Sequence, residues 1–248
     1  MIYAVCCVPV SPVRIEPDHK SEMISQLLFG EYCTITGNDK KGWIKIIAAV
    51  DGYEGWCQVT HTEEIAAAQY NNNTIALAAD WANEINYKGQ VMHIPLGSVI
   101  NTKNVSVKFS GVFWDAAYAS RDEATIKQIA FKFLNTAYLW GGRSVFGIDC
   151  SGFSQAVFRF LNIALLRDAQ QQATQGELVS FLQQTRCGDL AFFDDAEGNI
   201  IHVGILLSDS EIIHASGKVR IDKIDNQGIV NADTGERTQK LRIIKRYF

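Results

Sequence analysis

The texture of the chain changes once, near residue 118, and that change limits the folds open to it. Before it, apolar residues come in short runs such as "EYCTITG", "GWIKIIAAV" and "YEGWCQV", separated by the turn-rich "GNDKKG" and "VDGYEG". β-rich runs bounded by Gly, Asn and Asp read as strands. Two Gly-Trp steps, Gly42-Trp43 and Gly55-Trp56, open successive runs. An indole following a glycine turn suits a small barrel, whose thin core one aromatic largely fills. After the polar break "QYNNNT" come "GQVMHIPLGSVI" and "NVSVKFSGVFW". The expectation is two small β units, at 1–62 and 63–117.

Past residue 118 the period becomes helical. In "SRDEATIKQIAFKFLNTA", Ser120 and Glu123 have capping-box spacing, and Ile126, Ile129, Ala130, Phe133, Leu134 and Ala137 form a core-facing stripe. A second helix starts at Cys150 or just after it, burying Phe153, Ala156, Val157, Phe160 and Leu161. The strand runs "GDLAFF", "NIIHVGILL", "EIIHAS", "KVRIDKI" and "LRIIKRYF" follow. Helices first and antiparallel strands after them make residues 118–248 an α+β domain.

Composition excludes some function classes. Hydrophobic residues make up 47% of the 248 and charged residues 20%, so a packed core is expected rather than disorder. The net charge is −4 with no basic patch to track phosphates, so nucleic acid is not an expected partner. No apolar run approaches a membrane-spanning length, and "MIYAVCCVPVSPVRIEP" reads as a strand rather than a secretory leader. A cytoplasmic monomer is expected, with a periplasmic location as the alternative if a leader has been removed. The six cysteines fall mostly in apolar strand-like runs of a large chain, which favours reduced thiols. No CxxC pair exists to build a zinc ribbon, and no metal or other cofactor is expected.

Cys150 stands apart from the other thiols. It lies in "GIDCSGF", where a glycine-rich loop enters a helix. Unpaired N–H groups and the positive dipole end of a helix favour a thiolate and can later hold an oxyanion. The plainer reading is a small buried hydrophobe at a helix start. Two of the five histidines, His202 in "IIHVGIL" and His214 in "EIIHAS", lie on adjacent strand runs. A hairpin loop centred on Ser208 would pair them directly on one face, with Gly204 leaving room beside the base. A two-residue turn at Asp209-Ser210 would put them on opposite faces. The first register gives nucleophile, base and orienting group; a Cys-His-His metal site and two hydrogen-bonded core histidines are the alternatives. His19, His61 and His93 are assigned no chemistry.

"YLWGG…GIDCSGF", "GDLAFF", "HVGILL" and "IIHASG", in that order, resemble the NlpC-type cell-wall cysteine peptidases. The resemblance covers roughly residues 120–248. The first half is similar, more weakly, to bacterial SH3-like barrels, through "DGYEGW" and "IPLGSVI". The expected fold is therefore α+β: a papain-like NlpC-type catalytic domain preceded by two small SH3-like β-barrels.

The resemblance implies a triad of Cys150, His202 and His214, with the Tyr138 hydroxyl helping to organise the oxyanion site. It implies hydrolysis of the γ-D-glutamyl–diamino acid amide in peptidoglycan stem peptides. Two barrels before such a domain resemble the dipeptidyl-peptidase type, which requires a free L-alanine amine; a general endopeptidase whose barrels bind intact wall and a non-catalytic wall-binding adaptor are the alternatives. Asp149, Ser151, Arg167 and Asp168 then match residues lining the amine pocket, and Glu31 and Tyr53 are candidates from the first barrel. Arg167 is expected to hold Asp168, Glu31 or a substrate carboxylate. Trp140 is read as packing under the Gly141-Gly142 turn.

Overall fold

The computed structural model of the chain describes residues 1–39, 41–70, 76–101 and 106–248. The polar break at 71–74 and the start of the last β run at 104–105 lie outside the described residues. The chain forms two compact units: Met1–Tyr118 with Trp140–Phe146, and Ala119–Leu139 with Gly147–Phe248.

The first unit begins with a seven-stranded sheet in the order Met23–Leu28, Val10–Arg14, Glu54–Gln58, Trp43–Ala48, Tyr32–Asn38, Ile2–Cys6, Thr62–Ile65. The sheet continues three residues past the expected boundary at 62, because Thr62–Ile65 pairs antiparallel along Ile2–Cys6. The Trp43 indole is buried, as expected, but it lies outside the main cluster of the sheet. Leu27, Ile44 and Ile46 pack there with the thiols Cys6, Cys33 and Cys57, which serve as small hydrophobes. Burial pushes the Cys33 and Cys57 thiols up to about 12, so both stay protonated. Six further strands between Ala76 and Asp115 make two three-stranded sheets around Ala78, Ile85, Ile94 and Ile100.

Residues 140–146 belong to this unit rather than to the helical one. Gly141 sits at φ +76°, and a Cβ there would lie 2.3 Å from the Met23 carbonyl oxygen, so only glycine fits. Trp140 is 60% exposed and donates its indole N–H to Glu22 at 2.6 Å, instead of packing under the glycine turn.

In the second unit the helix Glu123–Phe131 is capped by Asp122, not by Ser120. The Asp122 carboxylate accepts the Thr125 N–H at 2.8 Å and the Ser120 hydroxyl at 2.7 Å. Ile126, Ile129, Ala130 and Phe133 are buried as the stripe requires, but the helix ends at Phe131 and Ala137 is exposed. The helix Cys150–Phe160 is buried nearly all round and packs against Ile200–Leu206 and Glu211–Ser216. Its Phe153 meets Phe133 edge-on, ring centroids 5.7 Å apart.

The unit's sheet runs Glu177–Val179, Arg237–Arg246, Leu190–Asp194, Ile200–Leu206, Glu211–Ser216, Lys218–Asp225, Gly228–Val230. Gly228–Val230 also pairs with Arg237–Arg246, so six strands close on themselves. Closure removes sheet edges, and Ala191, Phe193, Leu206, Ile212, Ile224, Ile229 and Ile244 cluster on one face. No helix among the described residues is long and apolar enough to cross a membrane.

Phe153→Ala removes a fully buried ring from the contact between the Cys150 helix and Phe133, just past the end of the Glu123–Phe131 helix. Urea titration should show the second unit destabilised by about 3–5 kcal/mol.

Candidate active site

The helix that starts at Cys150 is fixed at its first turn by Asp149. That residue takes extended backbone angles (φ −94°, ψ 178°), and its Oδ1 accepts the Gly152 N–H at 2.7 Å. Arg167 grips the same carboxylate with both terminal nitrogens, Nη1 to Oδ1 at 3.1 Å and Nη2 to Oδ2 at 2.5 Å, and gives Nη1 also to the Ser151 hydroxyl at 2.8 Å. Both charges are buried, so each requires the other. Gln172 donates to the Ser151 carbonyl at 3.0 Å and ties the turn to the next segment.

This arrangement corrects the expected partner of Arg167, which is Asp149. Asp168 caps the short helix Ala169–Gln172, and its backbone N–H donates to Gln171 at 3.1 Å. In the first unit, Glu31 is also a buried carboxylate with an arginine: Arg143 reaches its two oxygens at 2.9 and 3.3 Å, and the Leu28 N–H adds a third bond at 2.9 Å. Tyr53 is half-buried in the loop before Glu54–Gln58, its N–H on Asp51 at 3.0 Å.

The Cys150 thiol is 6% exposed. Burial, reinforced by the Asp149 charge, pushes it up to about 12; the Val203 and Ser151 N–H groups and Arg167 only soften the shift. The helix terminus therefore does not hold a resting thiolate: desolvation outweighs the dipole. The Val203 N–H on the sulfur brings Cys150 against the strand that carries His202. Burial, and then the neighbouring His214, bring His202 down to about 3. Burial thus favours the neutral form of both thiol and imidazole. Tyr138, half-buried, is pushed up to about 12, first by burial and then by the Asp149 charge, so its phenol stays protonated and able to donate.

The two histidines share a face, but not in the expected register. Ile205 pairs with Ile213 and Leu206 with Ile212, which centres the loop on Asp209 and sets His214 opposite Gly204 rather than His202. The rings meet diagonally, His202 Nε2 to His214 Nδ1 at 2.8 Å, centroids 5.0 Å apart and nearly perpendicular. Gly204 makes this approach possible: a Cβ there would lie 2.9 Å from His214 Cβ and 2.7 Å from Ile212 Cδ1.

The chain of contacts continues to a residue that sequence reasoning missed. His214 Nε2 lies 3.0 Å from Asp222 Oδ2 on the next strand. The same strand pairing sets His214 opposite Arg220 and Ile212 opposite Asp222, so alternation alone brings Asp222 to the histidine face. The signal was present in "HASGKVRID", where a tight turn at Gly217 fixes that register. Burial raises the Asp222 acid, but bonds from His214, the Ala232 N–H and Arg220 outweigh it and hold the group well below the usual carboxylate range. An anion there can only accept, so His214 donates from Nε2 and presents a bare Nδ1. His202 must then donate from Nε2, and its Nδ1 is left with a lone pair for the thiol proton. A shared metal does not suit these rings, since three of their four nitrogens already have hydrogen-bond partners.

A helix-borne cysteine beside a histidine of an adjoining closed sheet is the constellation of a papain-like cysteine peptidase. The comparisons with known proteins agree: the NlpC/P60 family profile matches residues 135–238, and that of the bacterial dipeptidyl-peptidase Sh3 domain matches residues 13–61. The chain is 30% identical over 214 residues to the gamma-D-glutamyl-L-lysine dipeptidyl-peptidase of Bacillus subtilis, covering 77% of this chain and 71% of the relative. It is 39% identical to a probable endopeptidase p60 of Listeria welshimeri, over 100 residues that cover 40% of this chain and 19% of that one. The crystal structure of an NlpC/P60 family protein from Bacillus cereus superposes with a TM-score of 0.79 at 18% identity, covering 99% of each chain. The chain belongs to the NlpC/P60 family of cysteine peptidases.

Two outcomes follow from this geometry. His202 is held below its ordinary 6.5, down to about 3, so on acidification the unfolded chain takes up this proton first. Its contribution to stability is complete above about pH 6.5 and is lost as pH falls toward 3. His202→Gln should therefore flatten the acid-side loss of the urea midpoint between pH 6.5 and 4. Gly204→Ala should push His214 off its partner and lower the hydrolysis rate at least about tenfold, with a lowered thermal midpoint because the buried His214 and Ile212 must shift at a cost of about 1–3 kcal/mol.

Proposed function

We propose that the protein releases the dipeptide L-Ala-γ-D-Glu from peptidoglycan stem peptides, cutting the amide between D-glutamate and the following diamino acid. The observation that carries this reading is the extent of the Bacillus subtilis match. It runs over 77% of the chain, too much for the catalytic segment alone. The p60 endopeptidase match is confined to 100 residues. A general wall endopeptidase is accordingly the second reading.

The chemistry follows from the relay. His202 Nδ1 takes the Cys150 proton as the sulfur attacks the γ-carbonyl carbon, since neither group is charged beforehand. The Cys150 backbone N–H at the helix start, with the Tyr138 hydroxyl, receives the developing oxyanion. His202 returns the proton to the departing amine of the diamino acid. Water, deprotonated by the same nitrogen, then opens the thioester and frees the dipeptide.

Removing two residues from one end requires sensing that end. Asp149 carries Arg167, Ser151 and Gly152 donors, which fix the nucleophile's turn and hold a buried carboxylate beside it, where an incoming ammonium would add a further charge-assisted bond. Six unpaired thiols support a reducing, cytoplasmic setting for the reaction.

The test is incubation with L-Ala-γ-D-Glu-L-Lys and with its N-acetylated form, read by mass spectrometry. The free peptide should yield L-Ala-D-Glu and the acetylated one should be cut at least about 100-fold more slowly, the scale of a buried amine losing its partners. Cys150→Ala should abolish both. Equal rates on the two peptides would favour the endopeptidase reading, and no cleavage of either would end the proposal.

A further inference from the structure

We propose that Asp222 is a positioning residue whose ionised carboxylate, locked by Arg220 and the Ala232 N–H, dictates which ring nitrogen of His202 is free to act as base. The inference rests on His202 serving as that base, and it extends the reaction two strands away from the sulfur.

The two carboxylate oxygens have different work. Oδ1 accepts from Arg220 Nη2 at 2.8 Å and from the Ala232 N–H at 2.8 Å. Oδ2 faces His214 Nε2 at 3.0 Å. Arg220 is itself anchored from outside, giving Nη2 also to Asn231 at 3.1 Å and to Asp233 at 2.9 Å. Two N–H donors thus fix the orientation of the group about its Cβ–Cγ bond. His214 is 1% exposed and Asp222 3%, so bulk water does not compete for these bonds.

Replacing the carboxylate by an amide then has a definite consequence. In Asp222→Asn the oxygen must take the Oδ1 place, because the reverse orientation would set an NH₂ against two donors. The NH₂ consequently faces His214 Nε2, which has to become an acceptor. His214 then carries its proton on Nδ1 and donates to His202 Nε2. His202 is driven to the Nδ1–H form, and an N–H points where the base should be. Each switch only moves a ring proton between the two nitrogens, so the neutral rings adjust more readily than the amide flips. Asp222→Ala imposes no such direction: His214 loses an acceptor, and both ring forms remain open to it.

A group that merely filled space would give the opposite ranking, since Asn keeps the shape of Asp and Ala does not. The experiment is steady-state cleavage of the free tripeptide by the full chain and both variants, with the histidine proton positions read from ¹⁵N-labelled protein at neutral pH. Asp222→Asn should lose on the order of 10³-fold in kcat, with KM within about threefold of wild type, comparable in kind to inverting the histidine of a serine triad. Asp222→Ala should lose about 10- to 100-fold. The His202 proton should sit on Nε2 in wild type and on Nδ1 in Asp222→Asn. An Asn variant as active as or more active than the Ala variant, or an unmoved His202 proton in Asp222→Asn, would overturn the proposal. Failure of the wild-type chain to cut the peptide would count against the proposed reaction, and the ring-proton positions would then decide the relay alone.

Discussion

A hydrogen bond has a direction, and in this protein one direction set at a buried carboxylate passes through two rings to the free nitrogen of His202. Asp222 can only accept, so His214 donates to it, His202 donates to His214, and a lone pair emerges at His202 Nδ1. Much of the second unit serves that sequence of bonds. Three neighbouring strands hold the three side chains on one face through registers that place His214 opposite Gly204 and Arg220. The absence of a side chain at Gly204 lets the second ring lean toward the first. Closure of the sheet keeps water from offering the rings other partners.

The sulfur is managed differently. Its helix start supplies donors, but Asp149 answers them with a negative charge and Arg167 answers Asp149 in turn. The local balance is close to neutral, and burial decides the outcome: the thiol stays protonated. Reaction therefore couples proton transfer to attack, which is where a correctly aimed Nδ1 matters most. An enzyme resting as a thiolate–imidazolium pair would depend less on the ring's tautomer, because both nitrogens of an imidazolium carry protons.

Much of this was legible in the sequence. The change of period at residue 118, the helix that begins at Cys150 and the strands bearing the two histidines all follow from apolar spacing and glycine placement. What the sequence left open was set by tertiary partners. Counting from the loop cannot separate a centre at Ser208 from one at Asp209, and the difference decides whether the histidines meet head-on or diagonally. Arg167 had several acids within plausible reach, and burial beside Asp149 chose among them. Asp222 looked like one polar position in an alternating strand until the Gly217 turn placed it behind His214. The helix-dipole argument for a thiolate weighed the local field alone, whereas burial pushes the thiol the other way.

The most direct test of the account is the nitrogen spectrum of His202 in the resting wild-type protein at neutral pH, assigned with a His202→Gln variant. The account predicts a neutral ring with its proton on Nε2 and a bare Nδ1. A proton on Nδ1, or a doubly protonated ring beside an ionised Cys150, would contradict it.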